Sequence, residues 1–194
     1  PEQLHAQRAE IDALNKRWQD FTLLQGCELE IKADGTLDFA DEVLAELDFV
    51  VASVHTSLRQ ERAQITERVM NALRNPYVDV IGHPSGRILG QREESAVDLD
   101  AVIEMAAETG TALEVNSIPN RLDLDDVHVR QAMRLGVRLA VNSDAHHPGG
   151  LDSLRYGLAT ARRGWATAPQ VLNTMNLDEL RAWRRARIAQ RIDT

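Results

Sequence analysis

Cysteine is almost absent from this sequence, since Cys27 is the single one among 194 residues. An internal disulfide needs two cysteines, so the small secreted folds that disulfides hold together are excluded. The sequence also lacks any apolar run of about 18 residues, the length that a membrane-spanning helix needs. Its first residues contain no basic stretch followed by an apolar one, so a signal peptide is not indicated. We therefore expect a cytoplasmic protein with no membrane partner.

Lysine is scarce as well, and the net charge is negative. Two of the 22 basic residues are lysines, and the formal net charge is −8 at pH 7. A domain that binds nucleic acid through charge alone is basic, so this class is disfavoured. A nuclease site is not excluded, because bound cations can offset carboxylates locally. The length, with 43% hydrophobic residues, suits one sizeable domain with its own core.

Apolar patterns of two kinds alternate along the chain. Runs that are apolar on nearly every residue predict strands, and stripes with helical spacing predict helices between them. The predicted strands lie near residues 22–31, 48–54, 78–82, 112–116 and 137–142. The predicted helices lie near residues 2–19, from Leu99 to a stop at Gly110, from Val127 to a stop at Gly136, and from Asn176 onward. This alternation predicts an α/β fold with a parallel sheet that is buried on both faces.

Side chains that bind metals accompany several of these strands. Glu28 lies near the end of the first predicted strand, and His55 and His83 follow the next two, at steps of 27 and 28 residues. Asp144 and His146 follow the last strand as a D-x-H pair, whose side chains point the same way on an extended segment. The carboxyl ends of parallel strands meet at one rim. A lone histidine at a strand end is more often structural, but five such positions predict a site for more than one transition metal.

Other polar residues near the predicted rim are candidates for supporting roles. Arg87 and Arg92 lie in the long loop after the third predicted strand, where they could clamp a substrate phosphate, and Arg121 has the same status. A surface ion pair is the alternative interpretation for each arginine. Asn116 and Asn142 end apolar strands, so we expect them to hydrogen-bond metal ligands from outside. No Ser-His-Asp or Cys-His arrangement and no Gly-rich phosphate loop is evident in the sequence.

Short motifs around the candidate ligands resemble a known family. The motifs are Gly26-Cys27-Glu28, Ser53-Val54-His55, Gly82-His83-Pro84 and Asp144-Ala145-His146. They are similar to the later motifs of the PHP (polymerase and histidinol phosphatase) superfamily. Longer segments resemble the PHP domain of bacterial family X DNA polymerases, namely residues 34–55, 75–92, 112–124, 141–165 and 171–177. The resemblance covers nearly the whole chain.

The resemblance implies a distorted (β/α)7 TIM-like barrel with two or three divalent metal ions, Mn²⁺ or Zn²⁺, at the rim. Glu28 would then be a bridging carboxylate. His55 and His83 would bind the same metal, Asp144 a second and His146 a third. Catalytic roles are expected for Glu28, Asp144 and His146. The histidine and carboxylate set by itself suits Zn²⁺, Mn²⁺ and Fe²⁺ alike.

The family's early motifs, including an H-x-H strand, have no counterpart in residues 1–194. We therefore expect the chain to be the later part of the barrel without its first strands, and the rest to come from a longer parent with a polymerase core or from another chain. The implied function is a 3′–5′ exonuclease acting on DNA in repair. The alternatives are a small-molecule phosphatase of the histidinol-phosphate type, a non-catalytic PHP module that stabilises an attached polymerase, and, with a weaker match, an amidohydrolase-type barrel.

Overall fold

A computed structural model describes residues 2–192, in which five β-strands alternate with α-helices. The strands are β1 (Gly26–Glu30), β2 (Phe49–Ser53), β3 (Val80–Ile81), β4 (Ala112–Asn116) and β5 (Leu139–Asn142). The helices are α1 (Glu2–Asn15), α2 (Asp41–Glu46), α3 (Arg62–Arg74), α4 (Leu99–Thr109), α5 (Asp126–Arg134), α6 (Leu154–Arg163) and α7 (Leu177–Ile192). Three short 3₁₀ helices span Pro148–Ser153, Ala168–Gln170 and Leu172–Thr174.

The strands form one parallel sheet whose spatial order follows the chain, β1-β2-β3-β4-β5. The predicted α/β fold with a parallel sheet is therefore confirmed. Closure into a (β/α)7 barrel stays a prediction, because the described sheet ends at β1 and β5. All carboxyl ends of the strands lie at the same rim, which places the loops after them together.

Both faces of the sheet carry apolar side chains, as the uninterrupted apolar runs predicted. Helices α3, α4 and α6 pack against the strands, and with α5 they share a large aliphatic cluster that includes Val50, Ile81 and Leu113. The other face has a smaller cluster that includes Val80, Ala112 and Ala140 and that packs against α7. Burial on both faces removes apolar surface from water and fixes the strands, and thereby the rim.

The helix ends follow local chemistry. Gly110 ends α4 in the left-handed conformation at φ +68°, as the sequence predicted. Asn176 and Glu179 exchange hydrogen bonds of 2.8 and 3.0 Å before α7, which is the predicted capping pair. The first helix is shorter than the predicted 2–19: α1 ends at Asn15, because the Asn15 side chain bonds both backbone groups of Leu23, at 2.8 and 2.9 Å. Among the described helices, none has the length and apolar character of a membrane span.

The outer edge of β5 is occupied by a later segment. Val171 forms a parallel bridge with Leu139 at the beginning of the strand. Further along, the Asn173 side chain accepts a hydrogen bond from Val141 N at 2.8 Å and donates one to Val141 O at 2.9 Å. A side-chain amide thus satisfies backbone groups that a neighbouring strand would otherwise pair.

Candidate metal centre

Three of the predicted ligands meet at the rim of β1, β2 and β3. Glu28 lies within β1, and His55 and His83 each lie two residues beyond the end of β2 and β3. Glu28 Oε1 lies 3.1 Å from His83 Nε2 and 3.3 Å from His55 Nε2. One ligand atom of each residue lies within 4.8 Å of those of the other two. Two imidazole nitrogens and a carboxylate oxygen at this spacing are donors that suit Zn²⁺ or Mn²⁺, so these residues, hereafter the metal trio, fit such an ion.

The electrostatics of the metal trio favour a charged carboxylate. Hydrogen bonds from His55 and His83 hold the pKa of Glu28 far below its usual range. The Glu28 carboxylate in turn raises the pKa of His55, and Glu30 adds to this. A positive charge beside Glu28 is therefore favoured, and a divalent cation at the metal trio would supply one in place of a proton on His55.

Glu30, which the sequence prediction missed, fixes the orientation of His55. Glu30 Oε2 lies 2.8 Å from His55 Nδ1 and accepts a hydrogen bond from His55 N at 2.9 Å. Its other oxygen accepts bonds from Thr56 Oγ1 at 2.7 Å and from Arg68 Nη2 at 2.9 Å. The Arg68 side chain is 1% exposed. With Nδ1 bound to a carboxylate, Nε2 of His55 faces Glu28, which is the arrangement typical of a histidine that binds metal.

Glu114, also missed, ties three strands together at the rim. This residue of β4 is 4% exposed, and its burial raises the pKa of its carboxyl group. Glu114 Oε2 accepts a hydrogen bond from His83 N at 2.7 Å, and Oε1 accepts one from Asn142 Nδ2 at 2.8 Å. Asn116 Nδ2 lies 3.3 Å from Oε2. Glu114 thereby links β3, β4 and β5 just behind the metal trio.

Asp144 and His146 lie outside the metal trio. Asp144 Oδ2 accepts a hydrogen bond from Asn116 Nδ2 at 3.1 Å, so the Asp144 side chain is connected to Glu114 through one residue. The His146 ring is 83% exposed, and its Nδ1 lies 2.9 Å from the Asp144 backbone oxygen. The structure therefore brings Glu28, His55 and His83 together, places Asp144 beside their support, and leaves His146 facing solvent.

Two predicted ligands have backbone conformations that are rare for residues other than glycine. The φ angle is +29° at His83 and +49° at Asp144. Such conformations cost on the order of 1–3 kcal/mol and persist where surrounding contacts enforce them, which happens often at functional sites. At His83 the enforcing contact is the hydrogen bond from its N–H to Glu114. The same conformation occurs at Ser57, Leu122 and Trp165, so it supports a functional role for His83 and Asp144 only together with their contacts.

The Arg87 guanidinium group bonds to other residues of the chain. Its Nε and Nη2 donate to the backbone oxygens of Arg121 and Leu122, at 3.1 and 2.5 Å. Its Nη1 lies 3.3 Å from both Glu94 and Asp125. With its donors engaged this way, Arg87 holds the loop after β4 against the loop after β3. Its predicted role as a phosphate clamp would require some of these bonds to break.

Arg92 and Arg121 lie near each other with fewer internal bonds. Arg92 Nε donates to Gly86 O at 2.8 Å. Burial, and then the charge of Arg121, lower the pKa of Arg92. Arg121 Nη1 is buried and has no hydrogen-bond partner within residues 2–192. The two guanidinium groups repel each other, so an anion bound between them would stabilise both.

Comparison with known proteins adds relatives of two kinds. No family model matches the chain. The chain is 45% identical over 182 residues to the DNA polymerase/3′-5′ exonuclease PolX of Bacillus subtilis; this match covers 94% of the chain and 32% of that protein. It is 30% identical over 174 residues to a "probable phosphatase" of Thermoanaerobacter sp., which covers 84% of the chain and 69% of that protein. A "probable phosphatase" of Caldanaerobacter subterraneus is 34% identical over 146 residues, 70% of the chain and 55% of that protein. The chain thus spans about a third of the PolX relative.

Proposed function

The chain belongs to the PHP superfamily, and from this membership we propose that it hydrolyses phosphate esters with the help of divalent metal ions at its rim. The observation that supports the proposal most is the convergence of Glu28, His55 and His83 at the ends of three neighbouring strands. Two independent supports, Glu30 and Glu114, hold these ligands in place. Preorganised ligands of this kind favour tight metal binding.

We assign each residue a part in this chemistry. Glu28, His55 and His83 would hold the first metal ion, Asp144 a second and His146 a third. Bound divalent metals lower the pKa of water and stabilise negative charge on phosphate oxygens. Glu30 keeps the His55 ring in the orientation that presents Nε2. Asn116 holds the Asp144 carboxylate, and Asn142 acts through Glu114.

Arg92 and Arg121 are the residues that we propose to contact substrate phosphate. They are adjacent cations on the loops after β3 and β4, and His83 lies at the start of the first of these loops. An incoming phosphate would relieve their mutual repulsion and would supply acceptors for guanidinium donors. Arg87 contributes indirectly, because it holds the Arg121 backbone in position.

The finer proposal is a 3′–5′ exonuclease that acts on DNA during repair. It rests on the PolX relative, whose name includes this activity and whose match covers most of the chain. In that setting the chain would work within a longer protein that supplies a polymerase core and the remaining strands of a (β/α)7 barrel. Two or three Mn²⁺ or Zn²⁺ ions would then be held at the rim.

A small-molecule phosphatase is the second candidate. Its support is the group of relatives named as phosphatases, one of which the chain covers for 69% of its length. Both candidates use the same metal centre and differ in what binds beside it. The substrate distinguishes the two candidate functions, since an exonuclease needs a polynucleotide end and a phosphatase needs only a monoester.

The test uses the 194-residue chain with a 5′-labelled single-stranded oligonucleotide and with p-nitrophenyl phosphate. We expect hydrolysis with Mn²⁺ and none with EDTA. His83→Ala should lower the rate by more than about 100-fold, since loss of an outer support alone can cost this much. His5→Ala is the matched control, because His5 is exposed and its Nε2 contacts Glu46 at 3.3 Å. Unchanged activity of His83→Ala, or hydrolysis in EDTA, would refute the proposal.

A further inference from the structure

A small cavity of about 200 Å³ lies at the amino ends of β1 and β2, so it is at the opposite end of the sheet from the metal trio. Leu24 and Asp48, which line it, come two residues before β1 and one residue before β2. The rest of its lining comes from the first half of α7, namely Leu180, Arg181, Arg184 and Arg185. Sites for larger organic ligands typically measure about 300–1,000 Å³, so this cavity, hereafter the lower cavity, suits a smaller ligand.

The arginines of α7 outnumber the buried carboxylate that they share. Asp79, directly before β3, is 0% exposed and accepts hydrogen bonds from Arg184 Nε at 2.8 Å and Arg187 Nη2 at 2.5 Å. Its Oδ2 also accepts one from Val50 N at 2.8 Å. One negative charge therefore serves two guanidinium groups. Burial lowers the pKa of Arg187, Asp79 opposes this effect, and the neighbouring charge of Arg184 adds to it.

Several donors of these two guanidinium groups have no acceptor. Arg184 Nη2 is buried without a hydrogen-bond partner within residues 2–192, and so are Nε and Nη1 of Arg187. In the same part of the chain, the bond to Asp79 is the only one that the Arg184 guanidinium forms. Buried donors without partners are rare in native proteins, and charged ones are the most costly. Since the Arg184 side chain lines the lower cavity, an acceptor bound there would be within reach of its guanidinium group.

Two further cations of the lower cavity are not neutralised. Arg181 and Arg185 are exposed, and neither side chain forms an ion pair or hydrogen bond within the described residues. The acidic residues of α7, Asp178 and Glu179, form no ion pair with them in that part of the chain. The mouth of the lower cavity is therefore positively charged.

The acidic residue in the wall of the lower cavity is already balanced. Asp48 Oδ2 lies 2.6 Å from Arg8 Nη1 and accepts a hydrogen bond from Gln25 N at 2.8 Å. The three arginines of the lining thus favour an anion. Guanidinium groups bind phosphate and carboxylate oxygens through paired hydrogen bonds. A phosphate group carries about −1.5 to −2 charges at pH 7, so it offsets three cations better than a carboxylate does.

We propose that the lower cavity binds a small phosphate-type oxyanion between Arg181, Arg184 and Arg185. The inference does not depend on the proposed function, because this site lies at the other end of the sheet and needs no metal. The bound ion joins α7 to the segments that lead into β1 and β2. Because the site exists only when these elements are packed together, binding stabilises the folded chain.

The test is calorimetric titration of the whole chain with inorganic phosphate, in EDTA and at constant ionic strength. We expect saturable binding that the double variant Arg181→Gln/Arg185→Gln weakens at least about tenfold, because it removes two charged donors. Both side chains are exposed, so the variant should fold normally. Phosphate at about ten times its Kd should raise the Tm of the unmodified chain by about 3–6 °C, and that of the variant much less. Glycerol 3-phosphate in a parallel titration distinguishes the terminal phosphate of a monoester, which should then bind equally well, from the free ion.

Arg155→Gln/Arg162→Gln is the matched control, because it removes the same charge from exposed positions of α6 and should leave phosphate binding intact. Arg92→Gln separates the two ends of the sheet, since it removes only phosphate that binds at the rim. Phosphate affinity that Arg181→Gln/Arg185→Gln leaves unchanged, or that the α6 control lowers equally, would overturn the inference. So would acetate that binds as tightly as phosphate, or phosphate binding that Arg92→Gln alone abolishes.

Discussion

The two halves of the rim differ in how firmly they hold their candidate ligands. On the side of β1–β3, hereafter the strong half, hydrogen bonds to Glu30 and Glu114 hold the metal trio in place. On the side of β4–β5, hereafter the weak half, the Asp144 carboxylate accepts a hydrogen bond from the Asn116 side chain, and the His146 side chain is 83% exposed. The first half is preorganised, whereas the second would have to order His146 when a metal binds. We therefore expect unequal metal sites, a tight one at the trio and a weaker one at Asp144.

The largest effect is expected where the strong half loses its support. Glu30→Gln keeps the shape of the side chain but removes the charge that holds His55 and Arg68. Affinity for the first Mn²⁺ or Zn²⁺ ion should fall roughly 10- to 100-fold. Isothermal titration of the whole chain measures it. Glu104→Gln, on the exposed side of α4, is the control, and equal affinities of the two variants would show that Glu30 does not support the site.

A smaller and more selective effect is expected in the weak half. Asn116→Ala removes the hydrogen bond donor of Asp144. Affinity for a second metal ion should fall up to about tenfold, with a lesser change for the first ion, because Glu114 keeps its bonds from His83 and Asn142. Titration with Mn²⁺ monitored by electron paramagnetic resonance separates the two classes of ion. Asn120→Ala, with an exposed side chain, should leave both unchanged. An equal loss of affinity for both ions would contradict the proposed difference between the two metal sites.

The strong half should also give the metal-free chain a pH-dependent stability. The pKa of Glu28 is lowered on folding, so its contribution is present above about 4.3, the pKa of an unfolded glutamate, and is lost as the pH falls through the folded value. The pKa of His55 is raised, so its contribution is present below about 6.5 and is lost as the pH rises through the folded value. Glu28→Gln should therefore lower the urea midpoint in EDTA more at about pH 5.5 than at about pH 8.5. The same loss at both pH values would contradict this coupling.

The smallest effect is expected for His146→Ala. Because its ring faces solvent and lies outside the metal trio, first-ion affinity should stay within about twofold of the unmodified chain. Activity should fall if His146 holds a third ion, as we propose. A large loss of first-ion affinity would mean that the two halves bind metal as one unit.

The sequence predicted the parallel sheet and the convergence of Glu28, His55 and His83 at its rim, because regular spacing of strand and helix repeats brings side chains to one rim. It did not predict Glu30 and Glu114. Glu30 could have been found from its position, since it shares a face of β1 with Glu28 two residues earlier. Glu114 could not, because an apolar strand gives no sign that three donors from neighbouring strands will satisfy one buried carboxylate.

Other differences between the predicted and observed elements come from side chains that hydrogen-bond to backbone groups. Asn15 ends α1 early by bonding Leu23, and this depends on a turn that periodicity does not encode. The predicted strand over 78–82 shortens to two residues in β3, and the buried Asp79 just before it accepts a hydrogen bond from Val50 N at 2.8 Å. In both places a side chain bonds a backbone group that another backbone group would otherwise pair, and a hydrophobic pattern does not predict such bonds.

The Asn173 amide that pairs with Val141 makes the two edges of the sheet unequal in how easily each could accept another strand. A further strand could join alongside Val141 only by displacing two hydrogen bonds, each worth on the order of 1 kcal/mol. The opposite margin, along β1, is covered less tightly: Asp38 Oδ2 accepts a single, longer hydrogen bond from Glu30 N, at 3.3 Å, and this margin is the one nearest Glu28. Any polypeptide that extends this sheet would thus be steered to the flank where it could also reach the bound ions.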